Sequence, residues 1–102
     1  MNVHRVIHKP TPLDASDPFT GFGDEGNGFE IADWVNANGG DAHGTADGRL
    51  YLKRGDDDDE PSKVWIALGD RVGRRIRPDG TPTNDFYKLE PQVWDDAYGG
   101  QS

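Results

Sequence analysis

The chain has 102 residues, enough for one domain of ordinary size, with no cysteine and a formal net charge of −8. Without thiols there is no disulfide framework and no thiolate zinc site, and the excess of carboxylates repels phosphate backbones and anionic lipid at a distance. Apolar residues make up only 32%, below the ~45–50% usual on a count that also includes Gly, so a compact core carrying long polar loops is expected.

Residues 3–7 are short and β-branched and read as a strand, with Val3, Arg5 and Ile7 on one face and His4 and Val6 on the other. Residues 9–28 are rich in Pro, Gly, Asp and Thr, with only Leu13, Phe19 and Phe22 as anchors, and read as a long flexible loop. A helix is expected next. Asn27 or Gly28 caps it, Phe29, Ala32 and Val35 share its apolar face, and Asn38, Gly39 and Gly40 stop it.

Residues 41–46 and 49–54 then flank Asp47-Gly48, a dipeptide suited to a tight primed turn, with Leu50 and Leu52 facing inward and Tyr51 and Lys53 outward. The acidic stretch that follows, closed by Pro61, reads as a solvated loop. Strands at 64–67, 71–76 and 86–89 are separated by Leu68-Gly69-Asp70 and by Pro78-Asp79-Gly80, and Pro91 opens a helical turn closed by Gly99 and Gly100. The expectation is a single α+β domain. It comprises a strand at 1–8, a loop at 9–28, a core at 29–98 and a loose tail at 99–102. One short helix and the terminal turn pack on a small twisted antiparallel sheet or partial barrel.

Two stretches have a familiar order: Ala67-Leu68-Gly69-Asp70-Arg71-Val72-Gly73-Arg74, and Phe86-Tyr87-Lys88-Leu89-Glu90-Pro91-Gln92-Val93-Trp94-Asp95-Asp96-Ala97-Tyr98. Together with a helix ending in Gly-Gly, they resemble a family of small uncharacterised bacteriophage and prophage proteins. Those share an Ala-x-x-Gly-Asp turn and an aromatic tail with Pro, over the part of the chain from 29 to 98. Arg71 stands where the family often has Trp, and Trp94 where it has Phe. The resemblance implies an α+β fold and a viral origin, and it brings no activity with it. Gly69 and Asp70 read as a structural turn, and Phe86, Trp94 and Tyr98 as the residues that pin the terminal turn to the sheet.

The constellations that could carry chemistry are weak. Gly21-Phe22-Gly23-Asp24-Glu25-Gly26 matches a phosphate-loop pattern in letter, but Asp24 and Glu25 would repel a pyrophosphate and no strand precedes it. A calcium loop starting at Asp56 would place Pro61 and Ala67 where Gly and Glu are required. His4 and His8 are four apart on an extended segment, a spacing that brings ligands together only on a helix. No catalytic residue, cofactor or metal site is expected. Arg71, Arg74, Arg75 and Arg77 form the one basic stripe of an acidic chain.

The expected function is therefore non-enzymatic: contact with a host or phage protein, in the host cytoplasm or on the virion. The candidate surface comprises Asp56, Asp57, Asp58, Asp59, Arg74, Arg75 and the aromatic residues Tyr51, Trp65 and Tyr87. The alternative is a nucleic-acid-related role. The acidic run would then act as a DNA mimic, or the arginine stripe would bind nucleic acid weakly. Neither a membrane partner nor a particular oligomeric state follows from the sequence.

Overall fold

The computed structural model describes residues 3–6, 12–54 and 62–98, with the side chain of Tyr98 outside the description. The elements in chain order are β1 (Val3–Val6), β2 (Leu13–Ser16), α1 (Gly28–Ala37), β3 (Ala42–Gly44), β4 (Leu50–Lys53), β5 (Lys63–Ile66), β6 (Arg71–Ile76), β7 (Pro82–Leu89) and α2 (Pro91–Tyr98). This is an α+β fold with two sheets, not one. A four-stranded sheet runs β1-β2-β6-β7 and a three-stranded sheet runs β3-β4-β5; every pairing is antiparallel and neither sheet closes into a barrel.

Two cores result. The larger lies between α1, the inner face of the three-stranded sheet and one face of the four-stranded sheet. Ile31, Val35, Leu50, Leu52, Ile66, Val72 and Phe86 are buried together there. The smaller core lies on the other face of the four-stranded sheet, where Val6, Leu13, Ala15 and Leu89 meet Tyr87, Trp94 and Ala97 under α2. Each fully buried Leu, Ile or Val contributes about 1.5–3 kcal/mol. That is what holds a helix as short as α1, which would be marginal alone.

Five expectations need correction. The loop expected at 9–28 contains β2, all four residues of which are buried. Its two polar residues are satisfied from elsewhere in the chain. Arg5 donates to both oxygens of Asp14 at 2.9 and 3.1 Å, and the Ser16 hydroxyl accepts the Val72 N–H at 3.0 Å while donating to the Asp17 carbonyl at 2.9 Å. Past β2 the segment is tied down by Asn27, which accepts the Thr20 N–H at 2.8 Å and donates to the Pro18 carbonyl at 2.8 Å. With its side chain so engaged, Asn27 makes no side-chain cap on α1.

Phe29, expected on the apolar face of α1, is 66% exposed and touches Phe22 edge-on. The hairpin is not a two-residue primed turn, because among the described residues only Gly has positive φ and a primed turn would need it at Asp47. The loop has three residues, closed by Thr45 N–H to Arg49 C=O at 2.8 Å, with Gly48 at φ +82° in the left-handed position. Phe86 does not pin the C-terminal helix. Its ring meets Trp34 of α1 edge-on at 5.3 Å, on the opposite side of the sheet from α2.

Candidate functional site

The alternation of β4 sends Leu50 and Leu52 inward and leaves Tyr51 on the outer face of the three-stranded sheet. Register places Tyr51 between His43 of β3 and Trp65 of β5. The ladder bonds Lys53 N–H to Asp41 C=O and Arg54 N–H to Ser62 C=O fix the phase. Tyr51 and Trp65 consequently form a pair without direct ladder bonds, the type with Cα atoms about 4.5 Å apart and the closest side chains. The three rings form a row. His43 stacks on Tyr51 at 5.3 Å and 27°, and Tyr51 tilts on Trp65 at 5.1 Å and 55°.

Cations decorate this row. The Arg49 guanidinium carbon lies 3.9 Å from the Trp65 ring centre, and Lys63 Nζ lies 5.1 Å from Tyr51 and 5.9 Å from Trp65. Both contacts fall within the range of cation–π attraction. The imidazole of His43 also approaches the Asp41 carboxylate at 2.5 Å. A local positive, aromatic face thus sits on a chain of net charge −8.

A hollow of ≈ 450 Å³ opens beside the row, lined by Arg49 and Trp65 together with Phe19, Ile66, Leu68 and Lys88. Leu68 is 72% exposed at the tip of its turn, and Lys88 is paired with Asp70 at 3.4 Å. A second hollow of ≈ 410 Å³ lies by Gly39, Leu52, Arg54, Asn84 and Asp85. The charges near it are matched, since Asp85 takes both Arg54 at 3.5 Å and Arg75 at 3.3 Å.

Of the residues singled out from sequence, Tyr51 and Trp65 are brought together. Tyr87 is not with them: it packs half-buried into the smaller core, in the room that Gly73 leaves beside it. Arg71 lies over Trp94 on the α2 side of β6, whereas Arg74 lies over Phe86 on the other side and donates to the Thr83 carbonyl at 2.6 Å; Arg75 pairs with Asp85. The arginine stripe therefore does not form one surface. Asp56, Asp57, Asp58 and Asp59 lie outside the described residues. Gly69 takes φ +93° in a turn closed by Asp70 N–H to Ala67 C=O, and the Asp70 carboxylate accepts the Ala67 N–H at 2.9 Å. Trp94 lies under Arg71, whose guanidinium carbon is 4.3 Å from the ring centre. Among the described residues no group of acidic or histidine side chains is placed to hold a metal ion, and no helix is long and apolar enough to cross a membrane.

Arg49, His43, Lys63 and Leu68 were not identified from sequence. The signal for Arg49 and Lys63 was present in the parity of 49, 51 and 53 and of 63 and 65, which puts cations and rings on one face once the hairpin register is assumed. No family model matches this chain, and no curated protein or solved structure is significantly similar to it.

Proposed function

We propose that the chain is a non-enzymatic bacteriophage or prophage protein that works by binding another protein, in the host cytoplasm or on the virion, through the outer face of β3, β4 and β5. The single observation that carries this reading is the row His43, Tyr51 and Trp65 with Arg49 laid on its end. Tyr, Trp and Arg are the residues enriched at the centres of protein interfaces, where rigid rings bury much area at little entropic cost. The viral assignment rests on the resemblance carried by the Ala67 to Arg74 and Phe86 to Tyr98 stretches. Binding of nucleic acid through the arginine stripe draws no support from the geometry. Arg71 is engaged with Ser16 and Trp94, Arg74 with Thr83, and Arg75 with Asp85.

The test is site-specific photo-crosslinking in infected or prophage-carrying bacteria. A benzophenone side chain at position 43 is expected to yield discrete protein adducts that vanish in a Tyr51→Ser, Trp65→Ser background, whereas the same probe at position 92 on α2 yields none. Adducts removed by nuclease, or adducts of equal yield from both positions, would overturn the reading.

A further inference from the structure

Resting on that reading of the outer face, we infer that the segment it recognises is acidic and carries a bulky apolar anchor. The carboxylate docks on Arg49 and the anchor enters the hollow between Trp65 and Leu68. Three observations converge on this chemistry. At 3.9 Å from the ring centre, the Arg49 guanidinium carbon is at stacking distance from Trp65. A guanidinium held against an indole keeps its N–H fork available for a carboxylate and loses less freedom on binding than an unsupported one. Second, the same Arg49 and Trp65 line the ≈ 450 Å³ hollow whose other lining includes the apolar Phe19, Ile66 and Leu68. That volume exceeds any single side chain and leaves room for a Leu, Met or Phe anchor together with the backbone that carries it, and the shared lining places the carboxylate close to the anchor. Third, Leu68 is 72% exposed at the rim of that hollow, an apolar tip that an anchor would cover.

A single-stranded nucleic acid fits this face less well. Bases need bare ring faces on which to stack, but here Arg49 covers a face of Trp65 and Tyr51 is flanked by His43 and Trp65. A polyphosphate would also bring charge along its whole length to a chain of net charge −8. Two or three carboxylates confined to this face instead lie within about one Debye length, ~8 Å, of the local cations, so those cations dominate.

The probes are short acetylated and amidated peptides in which Glu flanks a Leu, Met or Phe in a Ser/Gly background. They are compared with Gln-for-Glu and Ala-for-anchor counterparts and with oligothymidylate. Binding is read by fluorescence anisotropy and by the shift of the Trp65 indole N–H resonance. The Glu peptides are expected to bind and move that resonance, and each counterpart to bind about tenfold more weakly. Arg49→Gln and Leu68→Asp are each expected to weaken the Glu peptides about tenfold with an unchanged melting temperature, both side chains being exposed.

The inference is overturned if no peptide binds, if Gln peptides bind as well as Glu peptides, if Arg49→Gln leaves affinity unchanged, or if only oligothymidylate binds. Protein adducts from position 43 combined with indifference to Arg49→Gln would remove the acidic partner alone and leave the binding face standing. Loss of those adducts would remove both.

Discussion

Two arginine–tryptophan contacts, built from the same chemistry, sit in different environments of the fold. In one, Arg71 lies 4.3 Å from the centre of Trp94 and donates to the Ser16 carbonyl at 3.0 Å, tying β2, β6 and α2 together. Burial lowers the Arg71 pKa from its ordinary value, against the opposing charges of Asp17 and Asp95. In the other, Arg49 lies 3.9 Å from Trp65 on an exposed face, at the mouth of a hollow. A part-buried guanidinium with a carbonyl acceptor is a staple, because removing it orphans the acceptor. An exposed guanidinium on a ring adds little to stability and retains donors for a partner. Environment, not residue type, separates the two.

The largest effect should follow removal of the staple. Arg71→Ala removes the guanidinium donor from the Ser16 carbonyl and uncovers Trp94, and is expected to cost about 2–3 kcal/mol in urea unfolding. Arg71→Lys should recover less than half of that loss, since an ammonium neither stacks as a plane nor presents a fork. Full recovery by Lys would reduce the contact to simple charge and break the distinction drawn above.

Trp94→Ala comes next. Trp94 packs against Val6, Leu13, Ala15 and Leu89 in the smaller core without being fully buried, so about 1–2 kcal/mol is expected, below the figure for a fully enclosed Trp. A double-mutant cycle with Arg71→Ala should return a coupling of about 0.5–1 kcal/mol. A coupling of zero would mean that the arginine acts through Ser16 alone.

The four-stranded sheet was where sequence reading fared worst, and the reason is physical. Asp14 and Ser16 read as loop residues because a sequence window sees their polarity and not their partners. Those partners, Arg5 on one side and the Val72 N–H on the other, arrive from 9 and 56 positions away. Phe86 was assigned to the wrong side of its sheet for a related reason, since strand alternation says that Phe86 and Tyr87 face opposite ways but not which face receives which helix. What is encoded locally was legible. Examples are the α+β class, the outward Tyr51 between inward Leu50 and Leu52, the end of α1 at Asn38 and Gly39, and the backbone turn at Gly69. Part of the aromatic row was legible for the same reason. The rings stood out by type, while Arg49 and Lys63 acquire meaning only from cross-strand register.

A weaker contrast tests whether surface charge alone could mimic the staple. Asp85 receives Arg54 and Arg75 at 3.5 and 3.3 Å with all three side chains substantially exposed. Asp85→Asn is expected to cost about 0.5 kcal/mol at low salt and nothing measurable in molar salt. A loss that survives high salt would show that this pair is more than a screened surface contact.

The smallest stability effect belongs to the contact that the proposed function depends on. Arg49 is exposed and its hydrogen-bonded neighbour in the hairpin is its own backbone, which accepts the Thr45 N–H and donates to the Thr45 hydroxyl at 3.0 Å. Arg49→Gln keeps those backbone bonds and removes only the cation over Trp65, so unfolding should change by less than about 0.5 kcal/mol. The observable that should move is local: the Trp65 indole N–H shifts while the resonances of Trp34 and Trp94 stay in place. If Arg49→Gln instead destabilised the chain as much as Arg71→Ala, the outer row would be a structural device like its part-buried counterpart. Arg49 would then be a packing residue and not a docking group. A stable variant that no longer engages an acidic segment would separate folding from recognition at a single side chain.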